Sequence, residues 1–349
     1  MTLDVQVTNV TSALAALLGL KSGMGVEIAP EQITIAQLEK RGKGLGLKHL
    51  VTASTPAGAV AGGRVEEPEA VAEVLRDLIA DHRLKPGPVA TAIPGREAVI
   101  RLIRLPADLQ ADELREVVLN QEAELYLPFS RSDAFVDFQP LAAAVDPDGV
   151  KRQEVLLVAA QLSVVNSYLE ALRRAGLTAR VVDIASFALV RALREPLAQV
   201  PPGAAVALVL LCADDTEISI LLEGVPQFSR TVSLGTREFR EALESTLDLP
   251  SFKAANLSRV LGDLADEIQR SLDFYQASGT TAPVPPVAQV LLAGNGANVR
   301  QIDEFLRQRL ALPVSRVDPV TALGLPETSV PPGLRSGFGV ALGLALRIL

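Results

Sequence analysis

The chain has 349 residues, 48% of them hydrophobic and 21% charged, which is enough for two or more domains around a large core and too apolar for a disordered chain. A net charge of −8 argues against nucleic acid or an anionic membrane as the main partner. The single cysteine, Cys212, excludes an intrachain disulfide framework and a cysteine zinc site, and two histidines, His49 and His82, read as surface or loop residues.

The start, MTLDVQVTNV, lacks the basic residues of a signal peptide, and no run approaches the roughly 18 apolar residues of a membrane span. The expectation is a soluble, cytoplasmic protein. Thr11–Leu20 is a short helix candidate with Leu14, Leu17 and Leu18 on one face. That face either packs on the body of the protein or docks on a membrane or partner, and the near absence of basic residues favours packing.

Gly25–Leu38 reads as strand, tight turn at Pro30-Glu31, strand, and Leu45–Ala53 as a third strand. Pro68 opens a helix over Glu69–His82, with Val71, Val74, Leu75 and Leu78 at helical spacing. Pro88–Ile93 is a short buried strand. Ala98–Leu105 is a strand with one mostly wet face. A helix over Asp112–Tyr126, closed by Pro128, precedes strands at Phe135–Leu141 and Glu154–Ala160 joined by an Asp146–Gly149 turn. Ser163–Ala175 is a helix, Ala179–Val182 a strand and Ser186–Arg194 a helix.

Val200-Pro201-Pro202-Gly203 is the clearest break, and the second half then repeats the first. Ala205–Gly224 is again strand, polar turn, strand. Pro226–Ser233 is the third strand, Arg237–Leu247 a helix, and Ser251–Gln276 a long helix. After a Pro-rich loop, Thr280–Pro286, the stretch QVLLAGNGA at Gln289–Ala297 passes from a buried strand through a glycine turn into a helix bearing Val299, Ile302, Phe305, Leu306 and Leu310. A strand-like Val314–Val317 and a helix from about Phe338 complete the chain. The two hairpin turns, Ala29–Gln32 and Ala213–Asp215, are expected to face each other across a cleft that Gly294–Ala297 closes.

Two domains with paired hairpins and a late Gly-x-Gly-Ala turn resemble the superfamily of actin, the DnaK-type chaperones and the sugar kinases. More narrowly, LNQEAELYLPF at Leu119–Phe129, GVPQFSRTVSLG at Gly224–Gly235, DEIQRSLDFYQ at Asp266–Gln276, VLLAGNGANV at Val290–Val299 and ALGLALR at Ala341–Arg347 resemble the PilM family, the actin-like cytoplasmic proteins of type IV pilus machines. The likeness is colinear over almost the whole chain after about residue 24. It implies an α/β, actin-like (ribonuclease H-like) fold of duplicated domains with an inserted 1C subdomain placed as in the cell-division protein FtsA. Domain 1A would span 24–93 and 176–200, subdomain 1C 94–175, domain 2A 203–240 and 287–349, and subdomain 2B 241–286, behind an N-terminal helix or tail at 1–23.

The resemblance also implies a nucleotide site, ATP with magnesium, whose chemistry is eroded here. Where superfamily members carry Asp-x-Gly-x-x-x-x-Lys in the first hairpin, this chain has Glu27, Ala29 and Thr34, and Pro30 removes an amide from the turn. Where the second hairpin carries Asp-x-Gly, it has Leu211-Cys212-Ala213, with Asp214 and Asp215 as either cation ligands or ordinary turn residues. Gly294, Asn295 and Gly296 keep the adenosine-side turn, either for binding or merely to turn sharply. The candidate binding set is therefore Glu27, Gln32, Asp215, Thr216, Glu267, Arg270, Ser271, Gly294, Asn295 and Gly296. No catalytic residue is assigned. Losing one charge-stabilising contact typically adds about 2.7–4 kcal/mol to a barrier, and several are missing, so fast hydrolysis is not expected.

If the cleft is not catalytic, function must lie on a surface. The family resemblance implies binding of the N-terminal cytoplasmic tail of PilN between 1A and 1C, linking the inner-membrane pilus complex to the cytoplasmic motor, with homo-oligomers open. The groove is expected near Leu119, Glu122, Tyr126 and Phe129, with Ala98–Leu105 offering an edge for an added strand. The other apolar residues of that helix, Leu114, Val117, Val118 and Leu125, are expected to hold 1C to 1A. A working ATPase or kinase-like enzyme and an FtsA-like filament former are the alternatives.

Overall fold

The computed structural model of the chain describes residues 2–3, 22–42, 44–85, 87–145, 149–244, 250–278 and 284–349. The helix expected at Thr11–Leu20 and most of the Asp146–Gly149 and Thr280–Pro286 connections lie outside those residues.

Alternating apolar residues build the first sheet. It begins with β1 (Thr2–Leu3), β2 (Ser22–Ile28), β3 (Gln32–Arg41) and β4 (Gly44–Ser54). A small hairpin, β5 (Val60–Ala61) and β6 (Arg64–Val65), leads to helix α1 (Pro68–Asp81) and strand β7 (Pro88–Ile93). Proline at the first turn opens α1, and Val71, Ala72, Leu75 and Leu78 make its buried face.

An inserted unit comes next. It comprises β8 (Ala98–Pro106), α2 (Ala111–Val117), a π-turn at Val118–Glu122, α3 (Ala123–Tyr126), β9 (Ala134–Val145) and β10 (Lys151–Gln161). Its antiparallel sheet has the order β8-β10-β9. Ile103, Leu105, Leu114, Val118, Val155 and Leu157 form a core of its own. Leu114 and Val118 thus hold the insert together internally and do not fasten it to the first domain. The π-turn adds one residue to the helical repeat, rotating the succeeding helical turn by about 100°. Leu125, expected to pack inward on an unbroken helix, accordingly ends 73% exposed.

The chain returns through α4 (Leu162–Arg174), β11 (Thr178–Ile184), α5 (Ala185–Ala192) and α6 (Arg194–Ala198). Helix α4 lies within the expected bounds of the insert, and its buried residues Val164, Val165, Tyr168, Ala171 and Leu172 join both Leu156 and Val158 of β10 and Ile33, Leu75 and Ile93 of the first domain in one core. The order of that sheet is β1-β11-β7-β2-β3-β4.

The second half repeats this plan with β12 (Ala205–Leu211), β13 (Thr216–Leu222), β14 (Val225–Val232), α7 (Thr236–Glu244) and α8 (Pro250–Ala277). Then come β15 (Val287–Ala293), a 3-10 turn at Asn295–Asn298, α9 (Ile302–Leu310), β16 (Val314–Arg316), α10 (Pro319–Ala322) and α11 (Gly339–Arg347). The order β14-β13-β12-β15-β16 matches β4-β3-β2-β7-β11 strand for strand. In both sheets a three-strand antiparallel meander is extended by parallel strands. β12 is buried along its whole length, as its unbroken apolar run AVALVLL requires.

Helix α11 joins the halves. It lies after the second sheet in sequence but packs on β2 and α5 of the first domain. Small residues permit the approach: a Cβ on Gly25 would lie 2.3 Å from the Ala341 carbonyl oxygen, and one on Gly343 would lie 1.8 Å from that of Ala188.

Candidate functional site

The three predicted walls meet. Glu27, Ala29, Glu31 and Gln32 from the first hairpin, Leu211 to Ala213 from the second, and Gly294 and Asn295 from the glycine turn line one cavity between the domains. Its volume is only about 40 Å³, against roughly 300–1,000 Å³ for a small-molecule site. Residues of this chain hold it shut. The Glu31 carboxylate pairs with Arg240 on α7 and accepts a hydrogen bond from Thr236 Oγ1 at 3.2 Å.

Glu27 sits beneath the first hairpin, beside the N-terminus of α11. Burial pushes its carboxyl up to about 7, opposed by a hydrogen bond from the Ala341 backbone N–H. Its Oε2 is buried without a hydrogen-bond partner. Gln32 turns to Thr34, donating to Oγ1 at 3.4 Å.

On the second hairpin, arginines answer both carboxylates. Asp214 pairs with Arg237, and Asp215 with Arg96 at 3.3 Å. Burial raises the Asp215 carboxyl above its ordinary range while Arg96 lowers it. Thr216 is fully buried and donates from Oγ1 to the Leu234 carbonyl at 2.6 Å. Glu217, one residue on, is buried and pushed up to about 7, chiefly by desolvation. Sequence alone gives no sign of it, because an acidic residue within a strand has no motif to mark it.

The glycine turn has a packing explanation. Gly294 has φ +83°, and a Cβ there would lie 2.3 Å from the Leu211 carbonyl oxygen. A Cβ on Gly296 would lie 2.6 Å from that of Leu211 and 2.9 Å from Thr236 Cγ2. Asn295 Oδ1 fills the space beside Gly337. Of the remaining candidates, Ser271 is buried and donates to the Glu267 carbonyl of its own helix at 2.9 Å. Glu267 pairs with Arg230 at 2.8 Å and with Arg270. Glu267, Arg270 and Ser271 do not line the interdomain cavity.

The cleft as it stands is closed at the positions expected to hold ATP with magnesium: its two adjoining cavities measure about 40 and 70 Å³, Glu31, Asp214 and Asp215 each face an arginine, and Leu211 is fully buried at the second hairpin. Among the described residues there is no group of three or more side chains suited to a metal ion.

A second, more open site lies where the first domain passes into the insert. A groove of about 500 Å³ runs along Gly95–Arg101, past Tyr126 and Pro128, to Ser229–Thr231 on β14. Among the described residues strand β8 has β10 on one side and no partner on the other, and β14 likewise ends its sheet. Of the four predicted partner residues, Tyr126 lines the groove, while Leu119, Glu122 and Phe129 are half-buried and not part of its lining. The Leu119 carbonyl accepts from Arg131 Nε at 2.7 Å. The sequence does not single out Arg96, Arg101 and Arg230, because strands far apart in the chain bring them together.

Two duplicated meander-and-crossover domains around a cleft, with a three-stranded insert in the first, define an actin-like protein. The chain matches the family described as type IV pilus assembly protein PilM over residues 25–349, and it belongs to that family. Among solved structures it is similar to one titled PilM-PilN type IV pilus biogenesis complex, with a TM-score of 0.79, 28% identity, and coverage of 93% of this chain and 98% of that one. It also shares its fold with the ethanolamine utilization protein EutJ from Carboxydothermus hydrogenoformans, at a TM-score of 0.52, 15% identity, and coverage of 93% and 89%. No helix among the described residues is long and apolar enough to cross a membrane.

Proposed function

We propose that this actin-like chain is a non-catalytic adaptor of the type IV pilus assembly machine. It holds the N-terminal cytoplasmic tail of PilN as an extended segment in the groove beside β8. From the inner face of the cytoplasmic membrane, it links the inner-membrane complex to the cytoplasmic motor. The carrying observation is the unpaired β8 edge along an open groove, which offers main-chain hydrogen bonds to an added strand. The family, and the PilN named with the similar structure, support that choice of partner. The closed cleft favours an adaptor whose grip on PilN is independent of ATP.

The test is a titration of a labelled PilN tail peptide into the full chain, with and without ATP and magnesium. Saturable binding of equal strength in both conditions is expected. No saturable binding would refute the reading, and binding only with ATP would refute its nucleotide-independent part.

A further inference from the structure

The interdomain seam has a second opening at its other end. Strand β12 meets the cleft at Leu211, and at the opposite end of the β12–β13 pair Val206 and Leu221 border a groove of about 730 Å³. Helices α5 and α11 also run between the two sites. Leu189 and Val340 face the cleft, whereas Val190 and Leu346 face the groove. A seven-residue strand puts the openings about 20 Å apart. The groove touches both domains and the Val200–Ala204 connection between them.

Its chemistry is uneven. Phe187, Val190, Leu197, Val206, Leu221 and Leu346 supply an apolar lining. Its charged lining residues are Arg191, Arg194 and Arg347 against the single carboxylate of Glu223. Arg191 is committed to buried Asp183 at 2.8 Å and to the Gly343 carbonyl at 3.2 Å. Arg194 is exposed, and among the described residues no ion pair engages it. A cationic rim over an apolar floor is a local exception in a chain of net charge −8.

We propose that this seam groove docks a short segment of a partner protein whose apolar side chains are flanked by acidic ones. Apolar anchors fill the floor, and a carboxylate takes a charge-assisted hydrogen bond from Arg194 at the rim. A basic segment meets like charge there and is rejected. The site is separate from the β8 groove and does not depend on the PilN assignment.

Fluorescence anisotropy on the full chain tests this. The probe is a labelled helical peptide of about four turns with leucines on one face and glutamates elsewhere, compared with its lysine-for-glutamate counterpart. The acidic peptide is expected to bind saturably, roughly tenfold more weakly to Arg194→Glu, and unchanged to Arg115→Glu on the exposed face of the insert. A saturating PilN tail peptide leaves it in place. Val190→Asp, checked for folding by circular dichroism, puts a like charge on the floor and gives a second loss. No saturable binding, equal binding of the lysine peptide, indifference to Arg194→Glu, or displacement by the PilN tail would each overturn the proposal.

Discussion

Leu211, the last residue of β12, packs against Gly296 so closely that a Cβ on the glycine would lie 2.6 Å from that of the leucine. The contact joins the second hairpin to the glycine turn through packing, at a place where a nucleotide site would need a carboxylate and open space. Gly296→Ala is expected to destabilise the fold by about 1–3 kcal/mol through overpacking. Leu211→Ala alone creates a cavity costing about 2–5 kcal/mol. The double variant should be more stable than the sum of the two predicts, because the smaller residue at 211 makes room for the new methyl. Urea unfolding of the four proteins measures this coupling, and strict additivity would count against the contact.

The pairing of Glu31 with Arg240 closes the cleft, yet it should add little to stability. Both side chains are partly exposed, at 28% and 54%, and pairs of that kind contribute about 0.2–1 kcal/mol. Arg240→Ala should therefore leave the unfolding midpoint nearly unchanged while speeding amide exchange at residues 29–32. Hydrogen-exchange mass spectrometry reads both quantities. A large loss of global stability, or no change in local exchange, would contradict this role.

Burial sets a pH dependence through Glu27 and Glu217, each pushed up to about 7 from 4.5. In the window between those values the native state holds protons that the unfolded chain has released. The stability this contributes is complete below about 4.5 and is lost as pH rises through about 7. Glu27→Gln keeps the size and removes the titration. The stability of the wild type relative to this variant should fall as pH rises from 5 to 8, by an amount on the order of a kcal/mol per residue or more. Thermal unfolding of both proteins across that range checks the sign. A difference independent of pH would show that Glu27 does not titrate there.

Most of the architecture is legible in the sequence because apolar period and turn residues are local signals. The AVALVLL run of β12, Pro68 opening α1 and the two hairpins all read correctly. Three things are not local. The π-turn at Val118–Glu122 leaves no mark on spacing, which hides the outward turn of Leu125. Helix α4 shows an apolar face without saying which core it joins. The cleft reads from sequence as a set of altered motif positions, and only three-dimensional packing reveals that Arg96, Arg237 and Arg240 answer Asp215, Asp214 and Glu31. The glycines show the same limit: Gly294 and Gly296 look like a ligand turn, and their close neighbour is Leu211.

The β8 groove gives a prediction about backbone rather than side chains. Strand addition uses the N–H and C=O groups along the free edge of β8. Only alternate amides of an added strand face that edge, so N-methylation of the PilN tail peptide should weaken binding at one set of alternate positions and spare the other. The lost hydrogen bonds and the added bulk together should cost roughly tenfold or more in affinity. Tyr126→Ala should weaken binding severalfold while leaving that alternation intact, because Tyr126 lines the groove through its ring. Anisotropy titrations of the methylated series against both proteins separate the two effects. Equal losses at every position would mean that the tail is held by its side chains alone, and the edge of β8 would then have no part in the recognition.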